Sequence, residues 1–344
     1  METNSQPSST KNKTSRSSTE RSGEVTVAIV YYDGLDDLHE CLRCLSAQSL
    51  TPRRIVVVDN SEAGMAVEIL SEGLNLGFAG GNNLALRGTE TEFFVTLNAD
   101  AFPESGWIAA MVEAARCHPR AAAFGGVQLV HENPELADGL GDQYHVSGLA
   151  WRRGYLQPLN TLDLAERTIF SPCGAAAFFR TQELKEIGGF DEDFFCYCED
   201  LDAGFRLWLA GHECRFAPRA VVRHRGAGST GDSHSDFAVY HGHRNLVWVY
   251  LKNMPALLFW LFLPLHLLLN LQMVRAVALR GQGDVIRKAK HDALRALPMI
   301  WGKRLAIQAR RKAPLKHIGR ALDKSLLPEP WMRFYKELIM RFLN

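Results

Sequence analysis

From Val25 onward, short and nearly unbroken apolar runs alternate with segments of helical period. "VTVAIVYY" is followed by a helix-like stretch from Asp36 to Gln48, then by "RIVVVDN" and, further on, "EFFVTLNAD". Val/Ile runs without polar alternation predict strands buried on both faces, as in a mostly parallel sheet covered by helices. A helix from about Glu104 to Cys117, the runs "AAAFGGVQL" and "CGAAAFFR", helices from near Thr181 and from Glu199 to Ala210, and a strand "CRFAPRAVVRH" continue the alternation. The pattern predicts the α/β layered class. His131 to Thr168 is polar and has no period, which predicts a long, loop-rich connection of the kind that often binds ligands.

Both ends depart from this texture. Residues 1–23 are rich in Ser, Thr and Lys, which predicts a disordered leader without the apolar core of a signal peptide. From Asn253 to Val274 there is no Asp, Glu, Lys or Arg in 22 residues. That length just suffices to cross a hydrocarbon core. Pro264, His266, Asn270 and Gln272 interrupt it, so an interfacial helix pair on an anionic leaflet is preferred to a single span or a core helix. The expected organisation is a leader at 1–23, a catalytic domain at 24–250 and a basic, amphipathic, membrane-associated helical region at 251–344.

Charge strengthens the membrane reading. Residues 275–344 hold 17 Lys/Arg against 5 Asp/Glu, a net +12, so the formal +1 of the whole chain leaves −11 for residues 1–274. A basic tail implies an anionic partner, and its apolar lead-in favours lipid over nucleic acid. The seven cysteines form no paired spacing and suit reduced thiols in a cytosolic setting. Cys41-Leu-Arg-Cys44 lacks the second half of a metal or redox site.

In open α/β sheets ligands gather beyond the carboxyl ends of the strands. Three such ends carry polar groups: Asp59 after "VVV", Asp100 after "VTLNA" and His224 after "AVVR". Between the first two lies "NLGFAGGNN", whose glycines suit either a turn or a close backbone approach to a nucleotide. The acidic, aromatic stretch "GGFDEDFFCYCEDLDAGFR" leads into a helix whose first turn holds Glu199 and Asp200. There Asp202 and Arg206 stand at i, i+4, the spacing of a helix-surface ion pair.

Taken in order, "VVVDNS", "NLGFAGGNN", "LNADAFP", "GGFDEDFFCYCEDLDAGFR" and "PRAVVRHRGAGS" resemble the inverting nucleotide-sugar glycosyltransferases of family two, which have the GT-A fold. The resemblance runs from about Val25 to Pro255, and the basic tail resembles that of the rhamnosyltransferase-like branch. It implies that Asp59 binds the nucleotide base opposite Tyr31 and Tyr32. Asn75, Gly77, Gly81 and Asn82 would line the ribose and diphosphate, with Asn98 hydrogen bonding nearby. Asp100 and His224 would hold a divalent cation, Mg²⁺ or Mn²⁺. Asp200 would be the general base, with Glu199 beside it in the acceptor site. Asn98-Ala99-Asp100 replaces the usual Asp-x-Asp, so only one carboxylate is offered to the metal.

The function this implies is transfer of a sugar, with rhamnose a candidate, from a dTDP- or UDP-sugar to a glycan or lipid-linked glycan at the inner face of the cell membrane. A sugar-phosphate nucleotidyltransferase shares the layered plan but would carry a Gly-rich basic loop after the first strand, where this chain has acidic "YYDGLDD". A membrane scaffold with a degenerate site is opposed by the presence of Asp59, Asp100, Asp200 and His224.

Overall fold

A computed structural model describes residues 24–60, 69–70, 74–226, 234–326 and 328–329. The expected leader and the last fifteen residues of the basic tail lie outside the described residues. The elements follow in the order β1 (Val25–Tyr31), α1 (Leu35–Ser46), β2 (Arg54–Asp59), β3 (Ile69–Leu70), α2 (Gly77–Arg87), β4 (Phe93–Asn98), β5 (Ala101–Pro103), α3 (Trp107–Cys117), β6 (Ala121–Val130) and β7 (Asn133–Gly139). The chain continues through β8 (Asp142–Tyr144), β9 (Ala150–Arg152), β10 (Arg167–Ile169), β11 (Ala176–Arg180), α4 (Thr181–Glu186), α5 (Glu199–Ala210) and β12 (Glu213–His224). Five further helices complete it: α6 (Asp236–Asn253), α7 (Ala256–Val277), α8 (Gly283–Arg295), α9 (Leu297–Arg310) and α10 (Leu315–Ala321).

A ten-stranded sheet forms the centre, in the order β10-β12-β6-β11-β4-β1-β2-β3, with β5 added to β12 and β7 to β6. The apolar runs are continuous because both faces are covered. Ala28, Val56 and Val58 contribute to one core, while Val27, Ile29 and Val57 contribute to the other. Alternate residues of a strand point to opposite faces, so a strand inside two cores has no polar side to show. The fold class is the expected one, but the sheet is mixed. Strands β1 to β4 are parallel, whereas β11 runs antiparallel between β4 and β6.

The polar stretch from His131 to Thr168 is not the long loop that the pattern predicts. It builds β7, β8, β9 and the start of β10, each short and partly exposed. Such strands show little period because few of their positions are buried. Strand β7 pairs with β6 through an irregular register, in which Gln128 faces Gly139 and Leu129 faces Ala137. Asp138 is therefore the extra residue of a β-bulge, the device that re-aims a side chain out of the normal pleat.

The Asp202–Arg206 pair forms as the spacing predicts, with Arg206 Nε 2.7 Å from Asp202 Oδ2, but it is buried. Asp202 also accepts from Asn253 Nδ2 at 2.6 Å and meets Lys252 Nζ at 2.7 Å. Helix α6 thus anchors α5 from inside and runs without a break across position 250. The acidic side chains Asp191 and Asp193 bind Lys303 of α9, and Asp191 also binds Lys252. Within the segment Ala256–Arg295 an 18-residue stretch reaches a mean hydropathy of 1.8, long and apolar enough to cross a membrane. Leu257, Trp260, Leu261, Leu267, Leu268 and Leu271 of α7 are exposed.

Candidate active site

The carboxyl ends of parallel β1, β2 and β4 open on one side of the sheet into a cavity of about 730 Å³. Strand β12 brings His224 there from the other half of the sheet, because its antiparallel register with β5 sets His224 against Ala101. His224 Nε2 lies 3.4 Å from Asp100 Oδ1 and 3.4 Å from Asn98 Nδ2. Its Nδ1 donates to Asp138 Oδ2 at 2.9 Å, and Arg152 Nη1 holds both oxygens of Asp138, each at 2.9 Å. Burial alone would depress the imidazole, but the two carboxylates outweigh it and raise His224 to about 9. Asp100 is held below the usual carboxylate range: burial pushes it up, and His224 more than reverses that.

On another wall, α5 presents Glu199 and Asp200. The approach to this helix is strained: Phe195, Tyr197 and Cys198 have φ of 64°, 69° and 65°, a left-handed conformation that costs non-glycine residues on the order of 1 to 3 kcal/mol each. Asn245 of α6, fully buried, holds the loop by donating from Nδ2 to the carbonyls of Phe194, Cys196 and Tyr197 at 3.0, 2.9 and 2.7 Å. The result is a fixed Asp200, whose Oδ2 accepts from Gly174 N at 2.6 Å and Oδ1 from Leu201 N at 2.7 Å. Burial raises the Asp200 carboxyl, with those two N–H groups and Arg152 pulling in the opposite direction. Glu199 is pushed well above its range by burial and by the charge of Asp200, and its Oε2 has no hydrogen-bond partner among the described residues.

Of the residues singled out in the sequence, Tyr32, Asn75, Gly77, Asn98, Asp100, Glu199, Asp200 and His224 line this one cavity. Tyr31, Asp59, Gly81 and Asn82 are buried and do not line it. Asn60, the neighbour of Asp59, lines it instead and donates from Nδ2 to Gly77 O at 3.1 Å. The glycines answer to protein neighbours. A Cβ on Gly77, whose φ is 67°, would come within 2.4 Å of Phe195 O, and one on Gly81 within 2.8 Å of Val30. Asn82 bonds back to Phe78 O in its own helix.

Sequence reasoning missed Asp142, Trp151 and Arg152 on the cavity wall and Asp138 behind it. They fall in the stretch taken for a loop, where a lone acid or arginine carries no distinguishing signal. Asp142 is buried, accepts from Ser171 Oγ at 3.2 Å, and is pushed up to about 8 by burial and by Asp200. All seven cysteines are free, and burial raises the cavity thiols Cys173, Cys196 and Cys198.

Among the described residues no three His, Cys, Asp or Glu side chains converge as a closed metal site. Asp100 and His224 nevertheless suit a hard divalent cation, one as an ionised oxygen donor and the other as a nitrogen donor once the cation displaces its Nε2 proton, with its second ring nitrogen already held. They leave most of the coordination sphere facing the cavity. Cations such as Mg²⁺ normally complete that sphere with water and substrate phosphate oxygens.

Comparison with known proteins decides the family. Residues 22–250 match the model described as glycosyltransferase like family 2. The chain belongs to that family. This glycosyltransferase is 29% identical over 251 residues to the N-acetylglucosaminyl-diphospho-decaprenol L-rhamnosyltransferase of Mycobacterium tuberculosis, covering 62% of the present chain and 80% of that protein. It is 29% identical over 191 residues to the pre-mycofactocin glycosyltransferase of the same organism, covering 51% of the present chain but only 38% of that protein. Among solved structures, GalNAc-T7 with UDP, GalNAc and Mn²⁺ superposes with a TM-score of 0.53 at 16% identity, over 67% of the present chain and 48% of that one. The last likeness establishes a shared glycosyltransferase fold.

Proposed function

We propose that this glycosyltransferase moves a sugar, with rhamnose the leading candidate, from a dTDP- or UDP-sugar to a glycan or lipid-linked glycan, with inversion at the anomeric carbon. The observation that carries the reading is that a single cavity has Asp100 and His224 on one wall and a rigidly held Asp200 on another. Tyr32, Asn60, Asn75 and Gly77 line the side where the strand ends would receive the nucleotide. Asp100 and His224 would hold a Mg²⁺ or Mn²⁺ ion, whose chemistry would be to offset the charge that grows on the departing diphosphate. Asp200 accepts the proton of the acceptor hydroxyl as that oxygen attacks the face opposite the leaving group. Both its oxygens are already oriented by backbone N–H groups, so the base needs no rearrangement. Its upward-shifted pKa brings it closer to the operating range of a general base.

The acceptor reading draws on the M. tuberculosis relative, whose name specifies a diphospho-decaprenol carrier, and on the exposed leucines and Trp260 of α7. Arg287, Lys288, Arg310, Arg311 and Lys312 are exposed on the following helices and their ends. The enzyme would rest on the cytoplasmic face of the membrane, apolar face in the lipid and cations at the head groups.

Asp200→Asn tests the base. Once a thermal-shift screen of nucleotide-sugars with Mn²⁺ has identified the donor, the variant should lose roughly 10²- to 10⁴-fold in transfer rate while its donor affinity stays within about twofold. Transfer at the wild-type rate would remove Asp200 from the mechanism.

A further inference from the structure

His224 is held from behind by a residue that does not touch the cavity. Asp138 is almost fully buried and receives the His224 Nδ1–H at 2.9 Å. It occupies the extra position of the β6–β7 bulge, where the side chain is turned out of the normal alternation. Arg152, from the neighbouring hairpin, fixes both its oxygens. Three independent features therefore converge on one carboxylate: a backbone irregularity that aims it, a guanidinium that holds it and an imidazole that it orients. A plain structural ion pair needs only the second.

We infer that Asp138 is the positioning residue of the metal site, holding His224 through Nδ1 so that Nε2 faces Asp100 and the cavity as a cation ligand. The inference rests on the metal role proposed above for Asp100 and His224. A carboxylate behind a ligating imidazole fixes its tautomer and ring orientation and raises its basicity, and losing such a partner typically weakens metal affinity about 10- to 100-fold. Arg152 serves one step further out: it holds Asp138 in place through both carboxylate oxygens, each at 2.9 Å.

The test measures Mn²⁺ binding by the full-length protein in the presence of saturating UDP, following the free-ion signal by electron paramagnetic resonance. Asp138→Ala should weaken Mn²⁺ about 10- to 100-fold. Asp138→Asn, which can still accept from Nδ1 but has no charge, should fall between that variant and the wild type. UDP affinity measured without metal should stay unchanged in both. If Asp138→Ala does not fold, the intermediate affinity of Asp138→Asn decides alone. Wild-type Mn²⁺ affinity in a folded variant, with only its melting temperature lowered, would make Asp138 a structural ion-pair partner and overturn the inference while leaving the metal role intact. A wild-type protein that takes up no Mn²⁺ with either UDP or dTDP would overturn both.

Discussion

Asp142 shows how strongly the cavity controls a single carboxyl group. Nothing in "GLGDQYH" marks it, yet burial and the nearby charge of Asp200 push it up to about 8 from an ordinary 3.8. A group whose folded pKa is raised stabilises the fold fully below its unfolded pKa, and that contribution is lost as pH rises through the folded value. The contribution of Asp142 should therefore be lost between about pH 4 and pH 8, on top of the opposite slope from the depressed His241, His243 and His266, and Asp142→Asn should remove that component. Melting temperatures of the two proteins across that range give the check, and parallel slopes would rule out Asp142 as the source. Asp100, Asp200 and His224 were legible in the sequence because each ends a strand or opens a helix next to a recognisable motif. Asp138, Asp142 and Arg152 were not, because their importance lies in partners that are distant in the chain.

At the level of elements, strands β1, β2 and β4 and helices α1, α3 and α5 could be read from periodicity, since burial on both faces or on one stripe leaves a strong pattern. The short strands between His131 and Thr168 could not, because partly exposed edges tolerate any polar residue. The glycine-rich start of α2 was visible, but its packing was not: Gly77 makes room for the Phe195 carbonyl, so the start of α2 and the loop leading into α5 are packed directly together. That contact and the Asn245 amide together hold a left-handed turn that would otherwise relax. Asn245→Ala would take the amide from the Cys196 and Tyr197 carbonyls, while Phe194 O keeps Cys196 N and Arg244 Nη2, at a cost of about 1 to 3 kcal/mol. Urea unfolding measures that loss, and a change below about 0.5 kcal/mol would mean that the turn is held by other contacts.

Over the whole molecule, the C-terminal helices are the part that sequence texture described least completely. Their apolar run and basic charge were evident, whereas the links from Lys252, Asn253 and Lys303 to Asp191, Asp193 and Asp202 depend on tertiary proximity alone. A catalytic region ending at residue 250 would lack all three of these side chains. For the membrane reading, flotation with anionic vesicles should carry the wild-type protein upward. Replacing Trp260 and Leu261 together by Glu should leave it in the dense fraction, because two charges on the apolar face oppose burial in lipid. Equal flotation of both proteins would assign the attachment to another surface.

The bulge at Asp138 has a consequence for comparing relatives. Strand β7 reaches His224 with an acid only because it carries one residue more than β6 across from it. A chain one residue shorter between Ala137 and Gly139 would restore the regular pleat by losing position 138 itself, and no carboxylate would stand at Nδ1 of His224. Strand length, and not only residue identity, thus decides whether a carboxylate stands behind the histidine, so the placement of a single alignment gap becomes a chemical statement.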